Sequence, residues 1–425
     1  MKILSWFLLL ALFIIPGCSQ LAFPGISPTP AVIPTRNPTF TPAPEATHIP
    51  AGPVVLRLWV PPQFDPNGEN PGADLFRRRL EEYLTKRPDV RLEVRVKATS
   101  GPGGVIDALI TSNAAAPLAL PDIVLLSREQ LETAALKGLL YPDDAMSESL
   151  AQGDWYPFAQ QLTQIQSSTF GIPFAGEALI RLYRPAEVEQ PLEDWDGSIA
   201  AGEAMIFPAA DPQAFFTLSE YLSAGGHVED EQGRPILELN VLRNVLAFYQ
   251  EAETAGVMPL WLTQLASDED AWRAYMEGRA HILITWTSRY LSQLPGDTAA
   301  LSLPTENGEP FTLVKGWIWA SANPNSERRS LSVDLIDFLT ESKFLAEWSQ
   351  AMGYLPPRSS ALAGWSNPTL RDLSHEIIRS AQIIPSNDVS VTLGPALQSA
   401  VVNVLKQQME PLSAAQEAIN SLQVP

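Results

Sequence analysis

The sequence predicts an α/β body carried behind a short N-terminal leader and a proline-rich tether, and three observations lead there. Strand and helix patterns alternate from Val54 onward. About 370 residues follow Pro53, enough for two lobes with separate cores. A hydrophobic content of 45 % supplies the apolar surface such cores need, and past the leader no apolar run of about 20 residues occurs that could span a bilayer.

The chain opens with Lys2, an apolar run over residues 3–15, and Pro16-Gly17-Cys18. A positive residue, an apolar run too short to cross a bilayer and a small residue ahead of the cysteine form the layout of a cleaved secretory signal. Residues 1–17 are therefore assigned as signal peptide. Cys18 is the only cysteine in the chain. Ile-Pro-Gly-Cys resembles a bacterial lipobox, in which the thiol is alkylated with diacylglycerol and cannot join a disulfide; a plain signal peptide that contains a cysteine is the alternative. Residues 18–53 are rich in Pro, Thr and Ala with little aliphatic periodicity. Such a stretch favours extended polyproline II at about 3 Å per residue, a tether able to hold a domain up to ~100 Å from a membrane.

Beyond the tether, residues 54–60 read as a strand, and residues 73–86 repeat Leu75, Phe76, Leu80, Tyr83 and Leu84 at helical spacing. Leu92, Val94 and Val96 alternate as a second strand over 91–96. A helical stretch around 105–111 leads into residues 121–126, a short apolar run of the kind buried in a parallel sheet, and a helix over 129–137 stops at Gly138. This rhythm implies crossover helices between parallel strands. Ligands of such sheets sit outside the carboxyl ends of the strands, so the loops after Val60 and Leu126 are the ones to watch.

Composition and motifs remove several function classes. A formal net charge of −20, from 28 Lys+Arg against 48 Asp+Glu, argues against nucleic acid, whose phosphates need a basic surface. The four histidines, His48, His227, His281 and His375, are scattered and show no metal-ligand spacing. There is no Gly-x-Ser-x-Gly elbow and no phosphate-cradling loop, and an acidic chain offers too many carboxylate pairs for any one to indicate a glycosidase. No catalytic residue, metal or cofactor is expected.

The order of segments resembles the extracytoplasmic solute-binding proteins of ABC importers, in the branch that includes maltose-type sugar binders. The likeness rests on 86–90 and the strand after it, 120–124, 134–142, 156–158, 170–174, 179–183, 222–226, 234–256, 270–285, 314–322 (VKGWIWASA), 353–358 (GYLPPR) and the terminal helical pair over 401–422. It therefore runs from about residue 54 to 422. Between 185 and 208 the chain departs, and only residues 191–195 echo the helix usual there.

The resemblance implies a two-lobed periplasmic-binding-protein type II fold, each lobe a mixed sheet flanked by helices, with solute held in the cleft between the lobes. It assigns 54–175 plus 320–364 to lobe 1 and 176–319 plus 365–425 to lobe 2. It implies a monomeric, lipid-anchored, extracytoplasmic protein that captures a small solute, most readily a carbohydrate, and delivers it to the permease subunits of an ABC transporter, its only membrane contact being the lipid. A non-transport ligand sensor or adhesin, and a secreted carbohydrate-active enzyme, are the alternatives.

For the site, the resemblance points to Glu177, at a crossover where maltose-type members place a carboxylate that accepts sugar hydroxyls; a hinge salt bridge is its competing role. Ser127 and Glu129 follow the 123–126 strand at its cleft end, with helix capping as the alternative for Ser127. Aromatics matter because a pyranose offers an apolar face that stacks on a ring. Trp286 and Trp317 are the leading platforms, and Trp59 is a weaker one. Alternation puts Trp317 and Trp319 on one side of a strand, so at least one belongs in the core. Phe64 and Asp65 on the first loop, Asp211 and Phe215 on a segment like a wall of the second lobe, and Tyr354 complete the candidates. Two departures stand against maltodextrin as the solute. Gly394-Pro395 precedes the helix where maltose binders carry stacking aromatics, and Ser288 stands in place of a tryptophan.

Overall fold

The computed structural model describes residues 52–189 and 193–422. The leader, Cys18 and almost all of the tether lie outside the described residues. The strands are β1 (Val54–Val60), β2 (Val90–Val96), β3 (Ile123–Ser127), β4 (Gln164–Ile165), β5 (Ser168–Thr169), β6 (Gly171–Tyr183), β7 (Met205–Ile206), β8 (Ile282–Trp286), β9 (Ala299–Leu301), β10 (Thr312–Ser321) and β11 (Ala381–Ile383). The helix Ala73–Lys86 joins β1 to β2, and Val105–Ala115 lies between β2 and β3. Both pairs, β1/β2 and β1/β3, are parallel, as crossover helices require. The order read from periodicity is the order observed.

The main sheet runs β2-β1-β3-β10-β6-β8-β7, with β11 beside β10 and β9 beside β6. It is mixed: β3/β10, β10/β6, β6/β8 and β6/β9 are antiparallel, whereas β7/β8 and β10/β11 are parallel. β6 changes partner along its length. Residues 171–178 pair with β10 and residues 179–183 pair with β8, so one long strand serves both halves of the molecule. Two glycines face each other just before the change, Gly176 opposite Gly316. A Cβ on Gly316 would stand 2.7 Å from the Ala175 carbonyl oxygen and 2.5 Å from Leu162, so only glycine lets the strands approach there.

Each half has its own aromatic core. On the β1–β3 side Phe174 packs against Trp348 at 4.2 Å between ring centroids and against Trp319 at 5.2 Å, and Phe76 closes on both Phe174 and Trp319. Asp122, fully buried ahead of β3, is paired with Arg328 at 2.6 Å and accepts from the Arg57 backbone, which pins the helix Ser326–Leu339 to the sheet. On the β8 side Trp195 stacks on Phe248 at 4.7 Å and 4°, and Phe207, Phe216 and Tyr249 pack beyond them. Trp195 opens the seven-residue helix Trp195–Ala201, N-capped by Asp194, in the region where the sequence departs from the pattern it otherwise resembles. The helix Asn387–Leu405 carries Pro395 in its interior and lies against the 212–213 backbone through Gly394.

Candidate functional site

The carboxyl end of β8, the end of β3 and the facing residues of β6 and β10 converge on one cleft. Its larger compartment is about 630 Å³ and an adjoining one about 430 Å³, within the range that accepts small organic ligands. Glu177, Lys315, Gln63, Gln213 and Phe215 border both compartments.

The floor is built by register. Lys315 on β10 stands directly opposite Glu177 on β6, and its ammonium lies 3.5 Å from Glu177 Oε1. Ser288 Oγ–H donates to the other carboxylate oxygen. Glu177 is thus held at both oxygens while keeping unused lone pairs, so the salt-bridge role and an acceptor role coexist. Trp286 ends β8, with Phe215 edge-on at 5.6 Å and 83° and the Lys315 ammonium 3.7 Å from the ring centroid. Tyr354 is partly buried, and burial together with the Glu177 charge pushes its phenol well above the usual tyrosine range, so it stays a hydroxyl donor.

The β8-side wall is acidic and self-paired. Asp268 opens the helix Asp268–Met276, accepts from Thr285 Oγ1 at 2.6 Å and faces Arg289 at 3.3 Å. Burial nonetheless raises its carboxyl above the ordinary value, against the pull of Thr285, Arg289 and Lys315. Asp211 accepts from the Gln213 backbone at 3.0 Å, a local turn that fixes the segment leading to Phe215, and burial raises its carboxyl too. On the opposite wall Ser127 caps the helix Arg128–Leu136 through a full capping box with Gln130 and also borders the cleft, beside Glu129. Trp317 reaches this compartment, whereas Trp319 is wholly buried between Phe76 and Phe174.

Three sequence-predicted residues are placed elsewhere. Phe64 is 2 % exposed and sits among Phe174, Trp317, Trp348 and Tyr354, so it is a core residue that supports the cleft aromatics from behind. Asp65 turns away and accepts from the Asn67 backbone at 2.8 Å. Neither borders the cleft compartments. Trp59 is likewise buried, under Lys97. Glu177, Asp211, Phe215, Trp286, Trp317, Tyr354, Ser127 and Glu129 are brought together. Sequence reasoning passed over Lys315, Asp268, Arg289, Gln63 and Gln213. For Lys315 a signal was present: it lies two residues from Trp317 on the same strand face, in a stretch otherwise apolar.

A two-lobed frame with a polar, aromatic-edged cleft at a shared strand is the architecture of a type II binding-protein fold. The chain belongs to the bacterial extracellular solute-binding protein family, whose pattern it matches over residues 80–372. The family is one of binding proteins rather than enzymes. Among curated relatives, a maltotriose-binding protein of Pyrococcus abyssi (strain GE5 / Orsay) is 23 % identical over 367 residues, covering 81 % of this chain and 77 % of the relative. Among solved structures, the sugar-binding protein MalE from the phytopathogen Xanthomonas citri aligns with a TM-score of 0.71 at 18 % identity, covering 86 % of this chain and 96 % of the other. The cyclic alpha-maltosyl-1,6-maltose binding protein from Arthrobacter globiformis aligns at 0.70 and 18 %, covering 87 % and 98 %. The maltose-type resemblance and the type II fold read from the sequence are borne out. No helix among the described residues is long and apolar enough to cross a membrane.

Proposed function

We propose that this protein captures a small carbohydrate in the cleft and hands it to the permease of an ABC importer, held at the cell exterior by a lipid on Cys18. The observation that carries the reading is the pairing, on one floor, of a doubly anchored carboxylate with aromatic rings: Glu177 between Lys315 and Ser288, flanked by Trp286 and Trp317. A sugar needs this combination, because its hydroxyls require fixed acceptors and donors while its C–H face requires an apolar ring. Asp211, Phe215, Tyr354, Ser127 and Glu129 complete the ligand set in this reading. By their descriptions the curated relative binds maltotriose, the Arthrobacter globiformis protein binds cyclic alpha-maltosyl-1,6-maltose and the Xanthomonas citri protein binds sugar, which supports the class of solute.

In this reading 54–175 plus 320–364 form lobe 1 and 176–319 plus 365–425 form lobe 2. The partner change of β6 after residue 178 supports a boundary close to residue 175. Closure is a hinge motion of the two lobes about the connecting strands, the way periplasmic binding proteins close around their ligands, and the closed shape then signals occupancy to the permease. A thermal-shift screen of the soluble body against mono- and oligosaccharides tests the assignment. A bound solute at 100-fold above its dissociation constant stabilises the folded state by about 2.7 kcal/mol, and a carbohydrate library without a single shift would sink the proposal.

A further inference from the structure

One face of the Trp286 indole in the cleft is covered by a lysine. The Lys315 ammonium is 3.7 Å from the Trp286 ring centroid and 3.5 Å from Glu177 Oε1, so it lies over the indole face and on the carboxylate at once. Register explains how one side chain reaches both. Lys315 stands opposite Glu177 across β10/β6, and Trp286 stands opposite Leu179 across β6/β8, so Lys315 leans over β6 toward the indole. Phe215 holds the ring edge-on and Trp286 is only 9 % exposed, whereas the Lys315 side chain is 31 % exposed. The lysine is the more exposed member of this contact. Asp211 and Asp268 border the same compartment and both feel the Lys315 charge, so the ammonium sits among three carboxylates with Arg289 as the neighbouring cation.

We infer that Lys315 is a resident occupant of the solute-stacking face, a specificity-determining residue that a sugar ring must displace before it can stack on Trp286. The inference rests on the cleft being the binding site. A ring and an ammonium cannot share one indole face, and the flexible four-carbon stem of lysine lets the ammonium swing away while keeping Glu177 as partner. A solute therefore binds against a cation–π contact, and solutes too small to cover the ring do not repay its loss.

Two measurements test this, both on the soluble body. The first needs no solute: acrylamide quenching of the Trp286 fluorescence, isolated by subtracting the Trp286→Phe variant, in the natural background and in Lys315→Ala. The inference expects quenching of the Trp286 component to at least double when Lys315 is removed, and equal quenching overturns it. The second is calorimetric titration with maltotriose of the natural protein, Lys315→Ala, Lys315→Arg and Trp286→Ala. Lys315→Ala is expected to bind about three- to tenfold more tightly, the loss of one partly exposed cation–π contact, and Lys315→Arg no more tightly than the natural protein. No gain for Lys315→Ala, undetectable binding by both proteins included, overturns the inference. A loss that Lys315→Arg restores overturns it too, making Lys315 a direct solute contact. Maltotriose affinity unchanged in Trp286→Ala instead overturns the cleft as the site, which separates the failure of the functional reading from the failure of this one.

Discussion

Replacing Gly394 by alanine is the sharpest probe of how the helix Asn387–Leu405 shapes the cleft. Helix propensity alone favours the change, since alanine is better than glycine inside a helix by about 0.8 to 1 kcal/mol. The surroundings oppose it. A Cβ at this position would lie 2.3 Å from the Pro212 carbonyl oxygen and 3.2 Å from Gln213 Cα. Both are backbone atoms, so no rotamer change relieves the overlap, and the 211–215 segment must move by about 1 Å to restore contact distance. Overpacking of this kind costs about 1 to 3 kcal/mol, and with a backbone obstacle the upper part of that range applies, leaving a net loss of about 2 kcal/mol after the helix gain. For a body of about 370 residues the unfolding entropy makes 1 kcal/mol worth a little over 1 °C, so the melting temperature should fall by roughly 2 to 3 °C. The same shift displaces Asp211, Gln213 and Phe215 from the cleft wall, so solute affinity should fall with it. A calorimetric melt beside a solute titration reads both quantities. An unchanged or raised melting temperature would show that the segment yields freely, and an unchanged affinity would uncouple it from binding.

Three further outcomes are open to measurement, two from the structure and one from the sequence of the leader. Glu177→Gln should weaken carbohydrate binding by about 1.5 to 3 kcal/mol, the worth of a hydrogen bond to a charged group, with little change in a denaturant melt because the residue borders an open cleft; a collapsed midpoint would mark Glu177 as structural. Glu220 is buried, with Trp195 Nε1–H donating to it at 2.5 Å, and burial pushes its carboxyl up to about 8 against the pull of Trp195 and Arg181. The folded state therefore holds this proton more tightly than the unfolded chain, so its contribution is complete below about pH 4.5 and is lost as pH rises toward 8, by at most about 1.4 kcal/mol per pH unit. Glu220→Gln should remove that slope, and a stability gap between variant and natural protein that stays constant from pH 5 to 8 would refute the assignment. Cys18→Ser should leave the body folded and release it from the membrane fraction, and retention on membranes would disprove lipid anchoring.

The legible parts of this protein are those governed by short-range periodicity. The helix Ala73–Lys86 was readable because Phe76, Leu80 and Tyr83 recur on one face, and all three are buried. The cleft was only partly legible because its floor is made by residues far apart in sequence, brought opposite one another by strand register. Nothing local to Lys315 indicates that it will lie on Trp286, since β6 intervenes between their strands. Phe64 misleads for a related reason. An aromatic on a loop near a strand end looks like a stacking platform, but its neighbours Trp348 and Tyr354 come from the other end of the chain and bury it. Ser127 shows that the two roles weighed for it are not exclusive, since a residue at a strand-to-helix junction caps the helix and edges the cleft from the same position.

The position of Glu177 on β6 gives the cleft a mechanical asymmetry. It lies two residues before the strand exchanges β10 for β8, with a glycine pair immediately beside it. In any rotation of one half about the shared strands, points near the axis move least. Trp286 on β8, Asp268 on its flanking helix, and Trp317 and Ser127 on the β3/β10 side stand farther from that axis and must change separation. In the proposed clamp the carboxylate is therefore the fixed reference of the site, and the aromatic and polar walls are what closure would bring together around it. Such an arrangement allows a solute to dock on Glu177 in the open state and gain its remaining contacts only on closing, which ties binding energy to the change of shape that a permease can sense.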